Sequence, residues 1–409
     1  MKNSVAGFGL VIGLLVLVGL LAKFGFELRF GLNNLPPAEY QATTWGRAVV
    51  KGIDDIPLVT AVDLTADEWS MFATSLDGKV WAINNLNNAG YYEIDPEPIY
   101  SLNLGWEPGE ENGMTGLAVS YDFILDKTIF VSYAKRVGSV GRNYIDRLVL
   151  DRDGDSWKVA SARTIFTGNT TVLGAHQIQG LIALPVEDKL HVMFTIGDTY
   201  HPEYAHDLRR EAGKVMMVQA DGSNPLGVRP YPNYPRVQAV GIRNAYDLAR
   251  NELTDWIYLT DNGPDVHDRI LYAPLLNTAD QYDFGWDGTN ESMLKSYVNG
   301  EERNSLVLHD FGEVTVSPTS IDTDSLGRFF VSIFSTVRMP EKEILMGEIG
   351  NDQILKLTKI VQRREGVESG NLLGIAVSDL TGNIWFGDIQ DGALYALGRS
   401  WELVRVLGR

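Results

Sequence analysis

The sequence contains no cysteine. Disulfides, thiolate zinc sites, iron–sulfur clusters and cysteine nucleophiles are thereby excluded. The absence fixes no compartment, although an oxidising one would do this chain no harm. Positive charge is also scarce. Against 35 Lys and Arg stand 53 Asp and Glu, a net charge of −18. A surface this acidic repels phosphate backbones, which argues against nucleic acid as a partner and suits cations or neutral substrates. Past Ala22 there is no long apolar run and no sustained helical periodicity. A doubly wound α/β fold is therefore disfavoured.

What is present is Gly, at 41 of 409 residues, with 44% apolar and 10% aromatic residues. That mix buries a normal core and suits short strands joined by tight turns. The exception is the N-terminus, where Val5 to Ala22 is apolar and uncharged between Lys2 and Lys23. Eighteen helical residues at about 1.5 Å each span roughly 27 Å, enough for a bilayer core. No convincing small-x-small cleavage site follows, so an uncleaved transmembrane helix over residues 1–24 is expected, with a signal peptide as the competing reading. Pro36-Pro37 stops any helix. Residues 25–52 read as a stalk, and 53–409 as the globular part, on the periplasmic or other extracytoplasmic side of the membrane.

That part repeats one unit: an apolar strand, a polar turn, a second apolar strand. The copies are Ser70–Ile83, Gly116–Val131, Gly180–Phe194, Ala245–Leu259, Ser320–Ser332 and Gly374–Phe386. Each reads as a β-hairpin, and the spacing of roughly 50 to 70 residues is that of a four-stranded blade plus loops. Radially stacked sheets bury both faces, which explains apolar runs without clean alternation. The expected fold is all-β, a six-bladed β-propeller; a pair of β-sandwiches is the runner-up and leaves the repeat unexplained.

Loops at one end of a propeller's channel are the usual site. Four carry unusual groups. Glu110-Glu111-Asn112-Gly113-Met114 puts carboxylates beside an amide, or is a solvated loop. His176-Gln177 sits among small residues; a neutral His is a suitable base, and equally a hydrogen-bonded structural residue. Gly241-Ile242-Arg243-Asn244 offers a permanent cation, for developing charge or for an ion pair. Asp261-Asn262-Gly263-Pro264, with Asp265 and Asp268, gathers hard oxygen donors that suit calcium, or is a polar turn. Asp151-Arg152-Asp153-Gly154-Asp155 reads as an acidic hairpin turn, since no Glu follows at the EF-hand position.

Taken in order, these segments resemble the glucose/sorbosone dehydrogenase family from about Leu58 to Leu397. Glu111-Asn112-Gly113-Met114-Thr115-Gly116-Leu117-Ala118 is similar to E-x-G-L-L-G-I-A. His176-Gln177, with Thr195-Ile196-Gly197-Asp198, is similar to the segment of the family's base. Gly213-Lys214-Val215 with Asp221-Gly222-Ser223 resembles G-K-I…D-G-S. Gly241-Ile242-Arg243-Asn244 resembles G-H-R-N, and Tyr282-Asp283-Phe284-Gly285-Trp286 the N-Y-G-W turn. The resemblance implies six blades, pyrroloquinoline quinone (PQQ) and calcium, and oxidation of an aldose. It implies His176 as the base, Arg243 and Asn244 beside the quinone, Gln177 and Glu111 as further cofactor contacts, and calcium on the carbonyls of Gly263 and Pro264, near Asp261 and Asp268.

Two departures stand out. The family's Lys and Arg-x-Arg clamp for the cofactor carboxylates is replaced by Gly350-Asn351-Asp352-Gln353 and Asn371-Leu372-Leu373-Gly374. Arg338, Lys342, Arg363 or Arg364 are the nearby substitutes. An insertion also disturbs the His176 segment. Two functions follow: a membrane-anchored quinoprotein oxidoreductase, or a propeller without catalysis that binds or assembles a membrane-protein partner.

Overall fold

Alternation of short apolar stretches with Gly- and Asp-containing turns leaves the chain one economical way to satisfy its backbone, which is to pair each strand with the next. In the computed structural model these pairs build an all-β propeller. The structure describes residues 40–43, 47–53, 56–86, 91–106, 111–154, 156–334, 343–349, 355–363 and 371–399. The expected membrane segment Val5–Ala22, together with Arg338, Lys342, Arg364 and the 350–353 stretch, lies outside them. Among the described residues no helix is long and apolar enough to cross a membrane.

The described strands form six sheets. Their innermost strands are Val59–Leu64, Met114–Val119, Ile178–Val186, Ala245–Asn251, Pro318–Thr323 and Leu372–Val377. Each touches the next, and the last touches the first, so the ring closes. All six hairpins expected from the sequence are found. The first copy is one strand out of phase: it joins the second and third strands of its sheet, because Val59–Leu64 precedes it as the innermost strand.

The stalk expectation needs correction. Tyr40–Ala42 pairs with Leu355–Arg363, and Arg47–Ile53 pairs with Ala393–Arg399. Both short strands are the outer edges of the last two sheets, so part of the 25–52 span belongs to the propeller. Arg47–Ile53 has no local partner to reveal it, since its pairing strand lies more than 340 residues away in the chain. Edge pairing between the two ends of the chain ties the first part of the sequence to the last and covers two otherwise open sheet edges.

Sheets pack face to face through apolar side chains. Between the second and third, Phe130, Ile145 and Ile165 meet Leu181, Val192 and Phe194, all buried. Full burial of such side chains is worth about 1.5–3 kcal/mol each.

Toward the axis the lining becomes polar. Asp63, Asp247 and Asp322 border a cavity of about 70 Å³. Each carboxylate accepts the N–H of its own successor, Leu64, Leu248 or Thr323. Its other oxygen accepts an N–H from the neighbouring innermost strand: Val119 at 2.7 Å, Ile321 at 3.1 Å and Val377 at 2.8 Å respectively. These three residues therefore staple the first sheet to the second, the fourth to the fifth and the fifth to the sixth. Gly180 leaves the space Asp247 occupies, since a Cβ there would lie 2.0 Å from Oδ1 of Asp247.

Removal from water pushes the Asp63 carboxyl up from 3.8 to about 6 and that of Asp247 up to about 7, against the N–H bonds that lower both. Burial, then the charge of Asp63, raises Asp322 as well. A carboxyl that holds its proton more tightly folded than unfolded stabilises the fold fully below about pH 4, and this contribution is lost as pH rises through 6 to 7. Thermal unfolding should therefore show a melting temperature that falls between pH 4.5 and pH 8. Asp247→Asn should flatten that fall by about 1–3 °C; an unchanged slope would count against a proton held by Asp247.

Candidate active site

His176 ends the loop that enters the third sheet and holds a left-handed backbone, φ 53°. Thr199 and Tyr200, across from it, are left-handed too, at 54° and 63°. Three strained non-glycine residues side by side cost of order 1 kcal/mol or more each and need enforcement by their surroundings. Enforcement comes from close packing and hydrogen bonds. A Cβ on Gly197 would lie 2.7 Å from the His176 carbonyl oxygen, so only glycine lets the two segments meet. The N–H of Thr199 donates to that carbonyl at 3.2 Å, and the His176 N–H donates to Oε2 of Glu111 at 3.2 Å.

The imidazole is buried, with its ring centroid 4.5 Å from that of Tyr200. Its Nδ1 lies 2.6 Å from Oδ1 of Asp198. In the neutral ring the Nδ1 opposite a carboxylate is the donor, which makes Nε2 the acceptor of that tautomer. No described residue hydrogen-bonds Nε2. Asp198 also accepts the N–H of Tyr200 at 3.0 Å and the indole N–H of Trp286 at 2.8 Å. Burial pushes its carboxyl up, and its hydrogen bonds from His176, Trp286 and Tyr200 outweigh burial, so it stays below the ordinary carboxylate range. Asp198 is thus an anion buried for the purpose of orienting His176.

Trp286 arrives on the turn after Tyr282–Asp283, a strand that runs parallel to Val237–Val240 and extends the third sheet. The Arg243 guanidinium lies 5.7 Å from its ring and donates to the Asn262 carbonyl at 2.8 Å. Asn244 is buried, and its Oδ1 accepts from Nε2 of Gln179 at 3.0 Å. Gln177 donates to the Glu111 carbonyl at 2.6 Å. The structure therefore brings His176, Glu111, Gln177, Arg243 and Asn244 together. It adds Asp198, Tyr200, Trp286 and Gln179. Asp198 and Trp286 were legible as pieces of family-like segments, but only their spacing in three dimensions assigns them roles.

The metal expectation divides. Asp261 is fully buried, and both oxygens are taken: Oδ1 by the N–H groups of Arg243 and Asn244, at 3.1 and 2.8 Å, and Oδ2 by Nε and Nη2 of Arg269, at 3.1 and 2.8 Å. Asp268 is buried likewise. Its Oδ1 accepts the Gly263 N–H and its Oδ2 those of Val316 and Ser317, each at 2.7 Å. Burial raises its pKa against these bonds. Both carboxylates serve as acceptors for peptide N–H groups rather than facing outward for a cation. Among the described residues no three His, Asp or Glu side chains are grouped to hold a metal. The carbonyls of Gly263 and Pro264 accept no hydrogen bond from the described residues. Beside them, Oδ1 of Asn262 is sealed from solvent without a partner. These oxygens fit a hard cation such as calcium.

Oε1 of Gln177, Oε1 of Gln179 and Oγ1 of Thr199 are likewise buried without a partner among the described residues. Unpaired buried polar atoms cost about 1–3 kcal/mol each, a cost that a bound hydrogen-bonding group or water removes. Acceptors of this kind match hydroxyl donors. For an anionic cofactor the described site offers Arg243 alone as a hydrogen-bonding cation. Leu372 and Leu373, where the sequence resemblance would place an Arg-x-Arg pair, are buried in the sixth sheet, and the Asn371 N–H is bound to Asp388.

Lys214 secures the loop that carries Asp198 and Tyr200. It is fully buried, and its Nζ donates to the carbonyls of Tyr204 at 2.7 Å, Ala212 at 2.8 Å and Ala205 at 3.4 Å. Burial lowers its pKa to about 8. Arg269→Met should cost about 3–5 kcal/mol, because it strands the Asp261 charge in the interior. Urea unfolding at pH 7 measures this; a loss below about 1 kcal/mol would show that the pair is replaceable.

Residues 58–302 match the family described as glucose/sorbosone dehydrogenase. No curated protein matches the sequence. Among solved structures, a glucose dehydrogenase aligns with a TM-score of 0.68 at 16% identity, over 86% of this chain and 98% of its own. The apo-form of soluble aldose sugar dehydrogenase from Escherichia coli gives 0.66 at 14% identity, over 86% and 99%. The PQQ-bound aldose sugar dehydrogenase from Streptomyces coelicolor gives 0.66 at 17% identity, over 89% and 99%. Identities this low speak for the fold, and the family match, which spans more than half of the sequence, decides membership: the chain belongs to the glucose/sorbosone dehydrogenase family.

Proposed function

We propose that the protein oxidises an aldose with PQQ and calcium, as a six-bladed propeller in which each sheet is one blade. The Val5–Ala22 segment would tether it to a membrane, with the propeller on the extracytoplasmic side. The observation that carries the reading is the buried Asp198–His176 pair with Nε2 of His176 unbonded. Such a base takes a proton from a sugar hydroxyl at Nε2. Asp198 holds the ring in the correct tautomer and stabilises the imidazolium that forms. The unpaired oxygens of Gln177, Gln179 and Thr199 accept hydrogen bonds from hydroxyls and orient the sugar. Tyr200 covers one face of the imidazole and keeps water from it.

The quinone, when bound, supplies the two-electron acceptor; its redox chemistry is its own. Arg243 would face its negative charge, with Asn244 held in place by Gln179 and Asp261. The Gly263 and Pro264 carbonyls would hold the calcium ion. A second reading rests on the sixth sheet. Buried Leu372 and Leu373 stand where the family carries cations, which favours a propeller that has given up the cofactor and serves a membrane complex as a binding module.

Full-length protein loaded with PQQ and calcium should reduce a dye with glucose or another aldose. His176→Ala should lower turnover by about 100-fold or more, with quinone affinity nearly unchanged. Asp198→Asn should lower turnover as well, since it leaves the ring free to turn. Quinone binding weaker than about millimolar, roughly −4 kcal/mol, would leave the binding-module reading in possession.

Calcium gives an independent check. It should raise the melting temperature, because a ligand bound only by the folded state stabilises that state. No shift, with no metal detected by elemental analysis, would count against a site at Gly263 and Pro264.

A further inference from the structure

A second cavity, of about 460 Å³, opens where the outer strands of the second and third sheets meet. None of the residues around His176 lines it. Its floor is apolar: Phe166, Met216 and Val237 are buried there, with Leu208 beside them. Its rim is cationic, with Arg209, Arg210 and Arg236. In a chain of net charge −18, three guanidiniums at one opening are unexpected.

Arg209 is neutralised by Asp207, at 2.9 Å. The other two are not. Arg210 lies 5.0 Å from the Tyr204 ring centroid and has no carboxylate within ion-pair distance among the described residues. Among the described residues Arg236 donates only to neutral oxygens, Oδ1 of Asn224 at 3.2 Å and the Gly222 carbonyl at 3.0 Å. Those bonds orient the guanidinium and leave its charge uncompensated. The one carboxylate in the lining, Glu211, is 5% exposed, and its Oε1 accepts the Thr170 N–H at 2.6 Å. Its charge is therefore directed into the wall.

We propose that this cavity binds an organic anion: a carboxylate, sulfonate or phosphate group on an apolar body. The volume lies in the range of small-molecule sites. Arg210 and Arg236 pair with the anionic group, and Phe166, Met216 and Val237 take the body. Charge-assisted contacts of this kind are about twice as strong as neutral ones, which gives the site its selectivity for charge.

The test is calorimetric titration of the full-length protein, without quinone or sugar, with 2-naphthoate and with its neutral isostere 2-naphthamide. Naphthoate should bind at one saturable site, and naphthamide about tenfold or more weaker. Arg210→Ala and Arg236→Ala should each weaken naphthoate about tenfold while far-UV circular dichroism and the melting temperature stay unchanged. Equal binding of the two compounds would overturn the proposal, without recourse to any variant. So would naphthoate affinity indifferent to both substitutions, or no saturable binding up to about 10 mM, near the weak end of the affinity scale.

Discussion

The fully buried ion pair of Asp261 and Arg269 is the contact on which the site depends. Asp261 ends the second strand of the fourth sheet and takes the N–H groups of Arg243 and Asn244, so it shapes the turn that presents both side chains. Arg269 completes the pair and also donates to the Gly241 and Met293 carbonyls. It thereby joins the fourth sheet to the Gly241 turn and to the segment that follows Trp286. Two charges buried at zero exposure survive because each of their polar atoms has somewhere to go. A well-packed apolar pair would stabilise at least as much. It would not give four donors a common acceptor, and the Arg243–Asn244 turn would lose its template.

His176 shows how that order is used. Its left-handed backbone, the matching strain at Thr199 and Tyr200, and a glycine at 197 bring an imidazole and a carboxylate to 2.6 Å in the interior. Lys214, with all three ammonium protons on backbone carbonyls, holds the connecting loop against the third sheet. Strain of this kind is stable only on a rigid scaffold, and the ring of sheets supplies one. The same scaffold explains the polar channel. Where six innermost strands converge, side chains are close to one another's backbones, and Asp63, Asp247 and Asp322 use that proximity to bind neighbouring strands together.

The corrections share a cause. Asp261 and Asp268 were expected as metal ligands because carboxylates near a Gly-Pro turn look like hard oxygen donors. A carboxylate satisfies peptide N–H groups as readily as it satisfies a cation, and one-dimensional spacing does not distinguish the two. Glu111 and Gln177 support His176 and each other. The edge strands at Tyr40–Ala42 and Arg47–Ile53 read as a stalk in the sequence for a related reason: a strand that pairs with the far end of the chain has no local partner to reveal it.

Local information sufficed for the repeat. Six hairpins, each apolar on both sides of a polar turn, can bury their faces only by stacking on one another, and the ring follows from that need. The residue types of the site were legible too, since His176, Arg243 and Asn244 lie in short segments whose order along the chain carries the family signal. Tertiary structure alone decided who touches whom. Asp198 became the partner of His176, Trp286 the partner of Asp198, Arg269 the partner of Asp261, and Arg210 and Arg236 have no carboxylate partner among the described residues. These pairings join residues that are distant in the chain or set in different loops. Their energies depend on burial and on distances of about 3 Å, which no linear pattern encodes.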